Sequence, residues 1–269
     1  MRFAFIGDLV GRSGRQLVLD RINELRDRLR LDFLVVNAEN AAGGFGLTGS
    51  IADSLFEAGV DAITLGNHAF DQRDMLGHIE REARIIRPLN MASNTPGRGS
   101  VELRNAKGQK LLVVQLMGRL FMGMYDDPFK AIDQQLKPYF LGGNVDAILV
   151  DIHAEATSEK MALGHFLDGR SSLVAGTHTH IPTADHRVLA GGTAYITDVG
   201  MSGDYDSVIG MNKNISLERW QKHTPGPRHE PAGGDACLCG VVVETDAKTG
   251  LATSIDPIRW GHGLVNTVN

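Results

Sequence analysis

Asp61-Ala62-Ile63-Thr64-Leu65-Gly66-Asn67-His68-Ala69-Phe70-Asp71 is the stretch on which the rest of the chain turns. Five residues of mainly aliphatic, β-branched character run into a small, polar, ionisable tip, the pattern of a buried strand ending at a functional corner. Gly66 lets the backbone approach a ligand closely. The amide of Asn67 can ligate a hard cation and the imidazole of His68 can carry a proton. Gly-Asn-His taken alone also fits an ordinary strand-to-helix turn. What separates the two readings is whether the corner recurs.

It recurs four more times. Residues 2–6 form a short apolar run ending at Gly7-Asp8; residues 32–38 form another ending at Glu39-Asn40; residues 147–152 end at His153; residues 173–175 lead into Gly176-Thr177-His178-Thr179-His180. Singly, Asp8 and Asn40 fit turn caps, His153 fits a satisfied strand terminus, and His178 and His180 fit the two-residue alternation of a strand. Jointly, they place carboxylates, amides and imidazoles at consecutive strand ends, an oxygen and nitrogen donor set without thiolate. Such a set suits manganese, iron or zinc better than calcium and is large enough for two ions, with Glu39 able to hold one on each oxygen. Two cations about 3.5–4 Å apart acidify a bridging water and neutralise phosphoryl oxygens.

Helical patterns separate these runs. Ser13-Gly14-Arg15-Gln16 matches a capping box before a helix with Val18, Ile22, Leu25 and Leu29 on one face. Arg21, Arg26, Arg28 and Arg30 alternate with Asp20, Glu24 and Asp27 and read as its solvated side. Residues 43–48 are a glycine-rich loop, able either to cradle phosphate or simply to flex, before a helix over 51–58 closed by Gly59. Helices are expected over 73–83, with Met75, Ile79 and Ala83 on one side, over 128–139 with Pro128 in the first turn, and over 155–167.

Hairpins interrupt the alternation: 101–103 with 110–116 around Asn105-Ala106-Lys107-Gly108, Val188 with 195–197 across Gly191-Gly192, and 241–244 with 251–255. The 225–234 segment, rich in proline and glycine, reads as an exposed loop, and the 201–220 segment, with Met201, Tyr205 and Met211, as core, base pocket or subunit contact. The expected fold is an α/β sandwich, two mixed sheets face to face with helices outside, in a single domain over 1–269. Ligands then gather at the carboxyl ends of the strands.

Composition narrows the function further. A net charge of −5 at a pI near 6 leaves no footprint for duplex nucleic acid or anionic lipid. No apolar stretch is long enough to span a membrane and Asp8 interrupts any secretory segment, so a cytoplasmic protein is expected. Cys237 and Cys239, the only cysteines, sit two apart in a β-like run and are expected as buried thiols. Monomer and homo-oligomer both stay open.

The order Gly7-Asp8, Glu39-Asn40, Gly66-Asn67-His68, His153 and Gly176-Thr177-His178-Thr179-His180 resembles the calcineurin-like metallophosphoesterase superfamily, from Asp8 to about Gly210. The resemblance implies a four-layer α-β-β-α sandwich. It implies two divalent or trivalent transition-metal ions, iron or manganese ahead of zinc: Asp8 and His180 on one, Asn67, His153 and His178 on the other, Glu39 across both. Three departures are visible: Leu9-Val10-Gly11 follows Asp8 where the superfamily has a histidine, Glu39 replaces aspartate, and Thr177 precedes His178. With Ala38-Glu39-Asn40 and Thr197-Asp198-Val199-Gly200-Met201, they resemble the YmdB-like bacterial subfamily, in which an asparagine beside the bridging glutamate compensates for the missing histidine. Asn40 is that candidate here.

The subfamily resemblance implies phosphodiesterase activity on cyclic nucleotides, 2′,3′-cyclic and also 3′,5′-cyclic. The matching mechanism is attack by a metal-bridging hydroxide on phosphorus, with His68 protonating the leaving ribose oxygen or, alternatively, positioning the phosphate. Phosphomonoester hydrolysis at the same site and a slowly hydrolysing nucleotide sensor are the rival readings.

Overall fold

The computed structural model describes residues 1–222 and 226–268. Two mixed sheets carry the fold. The first contains β1 (Arg2–Ile6), β2 (Phe33–Asn37), β3 (Ala62–Thr64) and β4 (Ile85–Ile86) in parallel succession. The second contains β5 (Ser100–Arg104), β6 (Lys110–Met117), β7 (Ala147–His153), β8 (Leu173–Thr177), β9 (Arg187–Val188) and β10 (Ala194–Ile196), in the order β5-β6-β7-β8-β10-β9. The chain then returns to the first sheet with β11 (Gly203–Asp204), β12 (Ala236–Thr245) and β13 (Ala252–Gly261), where β12 pairs antiparallel with β1 and bonds both β11 and β13.

Side-chain alternation builds the layers. Phe3, Phe5, Phe33 and Val35 point inward against Leu111, Val113, Leu149 and Ala175 of the other sheet, the shared core. Their neighbours Ala4, Ile6, Leu34 and Val36 point outward onto α1 (Gly11–Leu29) and α2 (Gly49–Ala58) through Val18, Ile22, Leu25, Ala52 and Leu55. On the far side, Leu112, Val114, Ile148 and Val150 meet Ile132 and Leu136 of α4 (Pro128–Leu136) and Leu163 of α5 (Thr157–Phe166). Both sheets are therefore covered on both faces, which is why their strands read as continuous apolar runs. The short α3 (Met75–Arg81) adds Met75 and Ile79 to the first outer layer, and α6 (Lys213–Lys222) lies outside these cores.

Several local expectations are corrected. The capping box at Ser13 does not start α1. The helix begins at Gly11, because Ser202 and Asn40 carbonyls accept the N–H groups of Val10 and Gly11, and Ser13 Oγ instead donates to Ala232 O at 3.3 Å. Arg26 is not part of the solvated face; it reaches Asp61 Oδ2 at 2.7 Å from a half-buried position. Helix α3 stops at Arg81, short of Ala83, and α4 stops near Pro138, which has no N–H to extend the ladder. The hairpins pair in the expected places, and Cys237 and Cys239 are buried free thiols with their sulfurs 4.0 Å apart. Pro225, at the start of the expected loop, lies outside the described residues; of the remainder, Pro227, Arg228 and Glu230 are exposed or half-buried. Among the described residues no helix is long and apolar enough to cross a membrane.

Candidate metal and phosphate site

The carboxyl ends of β1, β2, β3, β7 and β8 meet at one place, so the five corners become neighbours. His153, the last residue of β7, presents Nε2 to three acceptors at once: Glu39 Oε1 at 2.9 Å, Asn67 Oδ1 at 3.0 Å and His178 Nδ1 at 3.1 Å. One N–H cannot serve three acceptors, so the arrangement is that of donor atoms around a cation. Glu39, His153 and His178 offer ligand atoms all within 4.8 Å of one another.

The outward-facing atoms agree with this. His153 Nδ1 lies 2.9 Å from Thr177 Oγ1, which donates to Asp151 Oδ1 at 2.7 Å, fixing the tautomer that leaves Nε2 free. His178 Nε2 faces Glu155 at 3.2 Å, leaving Nδ1 toward the cluster. His180 donates from Nδ1 to Ile209 O at 2.8 Å, leaving Nε2 free.

Asp8 stands beside this group, its Oδ2 accepting the main-chain N–H of His178 at 3.3 Å. Asp8 Oδ1 and Asn40 Oδ1 are buried with no hydrogen-bond partner among the described residues. Orphaned buried oxygens of this kind are costly in a protein interior, and a bound cation removes the cost. Asn40 Nδ2 is already used, donating to Gly44 O at 3.0 Å, so its oxygen is the atom turned to the site.

The local field points the same way. Burial disfavours the His153 imidazolium, yet the carboxylates of Glu39, Asp8 and Asp151 outweigh it and raise its pKa to about 9. Burial and the neighbouring His153 together push His178 down to about 3. Burial raises Asp8 against the pull of His180 and His153, whereas for Glu39 burial is overcome by His153 and His68 and the carboxyl is held low. The carboxylates make the surroundings of His153 favour positive charge, while burial opposes charge on His178 and Asp8.

Gly66 is required by contact rather than by conformation. A Cβ there would fall 2.3 Å from Glu39 Oε2 and 2.5 Å from His153 Nε2. The next residues turn so that the His68 main-chain N–H donates to Glu39 Oε2 at 2.9 Å. The His68 side chain points elsewhere: Nδ1 meets Asp71 Oδ2 at 2.7 Å and the ring stands edge-on to Phe45, centroids 5.1 Å apart. A cavity of about 540 Å³ opens here, with Glu39, Asn40, His68, His178 and His180 among its lining residues.

All eight candidate residues therefore come together. The competing reading of His178 and His180, as two residues that merely alternate along a strand, does not hold. Strand β8 ends at Thr177, and both histidines sit in the left-handed region, at φ 92° and 66°. Met201 is core, as one of its readings has it, while Met211 borders the cavity. Sequence reasoning missed the supports beneath. Buried Asp151 takes Gln115 Nε2 at 3.0 Å from its own sheet and Asn37 Nδ2 at 3.2 Å from the other, tying the sheets under the site. Its signal was an acid inside the apolar run 147–152, two residues from His153. Lys160 was missed as well, and Asp71 and Asp198 were quoted within motifs without their roles being read.

Comparison with known proteins places this geometry. A solved structure of a hypothetical protein from Thermus thermophilus matches with a TM-score of 0.90 at 43% identity, over 97% of this chain and 99% of that one. A phosphatase from Mycoplasma pneumoniae matches with a TM-score of 0.90 at 34% identity, over 97% and 93%. The fold is that of the calcineurin-like metallophosphoesterases. A family model described as YmdB-like protein matches residues 4–258, and a 2′,3′-cyclic-nucleotide 2′-phosphodiesterase of Bacillus subtilis (strain 168) is 43% identical over 258 residues, 96% of each chain. The chain belongs to the YmdB-like family of metallophosphoesterases.

Proposed function

We propose that this chain, acting as one domain over residues 1–269, is a metal-dependent phosphodiesterase that hydrolyses cyclic nucleotides, 2′,3′-cyclic ones foremost. The observation that carries the reading is the convergence of Glu39 Oε1, Asn67 Oδ1 and His178 Nδ1 on His153 Nε2 at the floor of a cavity that also holds His68. The name of the Bacillus subtilis relative supports the substrate class.

Asn67, His153 and His178 would hold one ion and Asp8 and His180 a second, with Glu39 shared and Asn40 Oδ1 completing the second set. Iron or manganese fits this oxygen and nitrogen shell, with zinc behind them. When bound, such ions neutralise phosphoryl oxygens and acidify a water molecule. The protein's own part is positioning and proton transfer. Asp71 accepts from His68 Nδ1, which orients the ring and leaves Nε2 to protonate the departing ribose oxygen. Phe45 packs against the same ring and limits its rotation. The orphaned oxygens of Asp8 and Asn40 leave the floor with unpaired oxygen donors suited to cations.

The Mycoplasma pneumoniae relative, named a putative phosphatase/phosphodiesterase, favours monoester hydrolysis as the second reading. Turnover of 2′,3′-cyclic AMP, bis-p-nitrophenyl phosphate and p-nitrophenyl phosphate, each with Mn²⁺ and with chelator, separates them. Elemental analysis of protein purified without added metal accompanies the assay. Metal-dependent turnover of the diesters is expected. Full activity in metal-free protein, or turnover of the monoester alone, overturns the proposal.

A further inference from the structure

The cavity beside the donor cluster has two unlike ends. Its 540 Å³ falls in the range of roughly 300–1,000 Å³ that cradles a whole small molecule rather than one phosphoryl group. Around the site histidines and Glu39 runs an apolar and aromatic wall that starts at Phe45, against His68, and Ile209, at His180, and continues through Val208, Met211 and Trp220, with Ser216, Arg219 and His229 completing the lining. Phosphorus chemistry makes no use of such a wall.

Three observations narrow what the wall is for. Trp220 is 75% exposed on α6, a helix whose described residues bury only Ser216, so the indole is not there to hold the helix down. Arg219 is the only arginine or lysine among the described lining residues; its Nη2 donates to Pro227 O at 2.6 Å and its Nε has no partner among the described residues, so the cavity offers a single guanidinium. There is thus no cationic track to follow the successive phosphates of a polynucleotide. Ile209, in the apolar wall, accepts the Nδ1 proton of His180, so the two ends of the cavity are held in fixed relation. A flat, uncharged aromatic group attached to a single phosphodiester matches this shape and polarity, because a base face stacks on an indole whatever its sequence identity.

We propose that the apolar end of the cavity is a nucleobase subsite, with Trp220 stacking on the base of one nucleotide whose phosphorus lies over the donor cluster. The proposal rests on the phosphodiesterase reading and adds that the base itself is gripped, so a cyclic mononucleotide outcompetes the same diester without a base.

The chain has two tryptophans, and Trp260 lies on β13 beneath Arg21 and Arg28. A Trp260→Phe protein therefore reports Trp220 alone. Titrating it with adenosine, which carries no phosphate, is expected to quench emission saturably; absence of saturable quenching overturns the subsite. In steady-state kinetics, kcat/KM for 2′,3′-cyclic AMP is expected to exceed that for ribose 2,3-cyclic phosphate by about 10-fold to 100-fold, the scale of one base stack. Trp220→Ala should collapse that ratio toward one, chiefly through KM for the nucleotide. A ratio near one in the unaltered protein, or an unchanged ratio in the variant, overturns the proposal. Hydrolysis of neither diester would instead sink the phosphodiesterase reading, and the adenosine titration would still decide the subsite.

Discussion

Lys160 Nζ lies 2.9 Å from Asp198 Oδ2, and neither side chain is exposed to solvent. The same carboxylate oxygen accepts Thr179 N–H at 3.1 Å and Thr179 Oγ1 at 2.6 Å. Thr179 separates the two left-handed histidines, so the ion pair fastens the strained turn that aims them at the cavity.

Lys160→Met leaves Asp198 as a buried charge without its counter-ion. A loss of roughly 3–5 kcal/mol is expected in urea unfolding, with Lys160→Met/Asp198→Asn recovering part of it. A single variant within about 1 kcal/mol of the parent would show that the hydroxyl and amide of Thr179 suffice for the carboxylate.

Gly66→Ala puts a methyl group into the space between Glu39 and His153. Metal content measured by elemental analysis should fall well below that of the parent while the far-ultraviolet circular dichroism stays native. Normal stoichiometry in a folded variant would show that the donor set yields to a methyl group at no cost.

His68→Asn keeps the main-chain N–H that Glu39 Oε2 accepts and removes only the ring. Metal content should hold and kcat should fall by roughly 10²-fold to 10⁴-fold, the usual worth of a general acid. Asp71→Asn should give a smaller loss, because the amide oxygen can still accept from Nδ1 and orient the ring. Equal loss of metal and activity in His68→Asn would make the residue structural.

Asp185 supplies a pH test away from the site. Partial burial raises its carboxyl, but hydrogen bonds from Thr183 Oγ1 at 2.6 Å and Thr197 Oγ1 at 2.6 Å prevail and hold it below the ordinary value. A lowered pKa in the folded state means stability that is present above the unfolded pKa of about 3.9 and lost as pH falls through the folded one. The urea midpoint should decline on acidification, and Asp185→Asn, already weaker at neutral pH, should decline less. Parallel acid limbs for the two proteins would count against this account.

The site's inner atoms were legible because each follows a short apolar run, and a strand whose end carries Asp8, Glu39, Asn67 or His153 declares itself within a few residues. The supports were not, because their meaning depends on partners far along the chain. Lys160 reads as one more charge on a helix until Asp198 appears beneath it. Asp71 closes the 61–71 stretch itself, yet only the turn geometry brings its carboxylate to His68. The misplaced start of α1 has the same origin: a local motif at Ser13 competes with main-chain bonds from residues 40 and 202, and the distant bonds prevail. The left-handed turn at His178 and His180 likewise depends on Asp198, twenty residues downstream of the first.

The contact between the main chain of His178 and the carboxylate of Asp8 spans 170 positions. A chain still emerging from the ribosome, with His178 and His180 unmade, lacks two members of the cluster proposed to grip ions, however much of its first sheet has formed. On the metal-binding reading proposed above, cargo loading waits until β8 and the turn after it have been made and folded against the first sheet, and shorter chains stay unarmed.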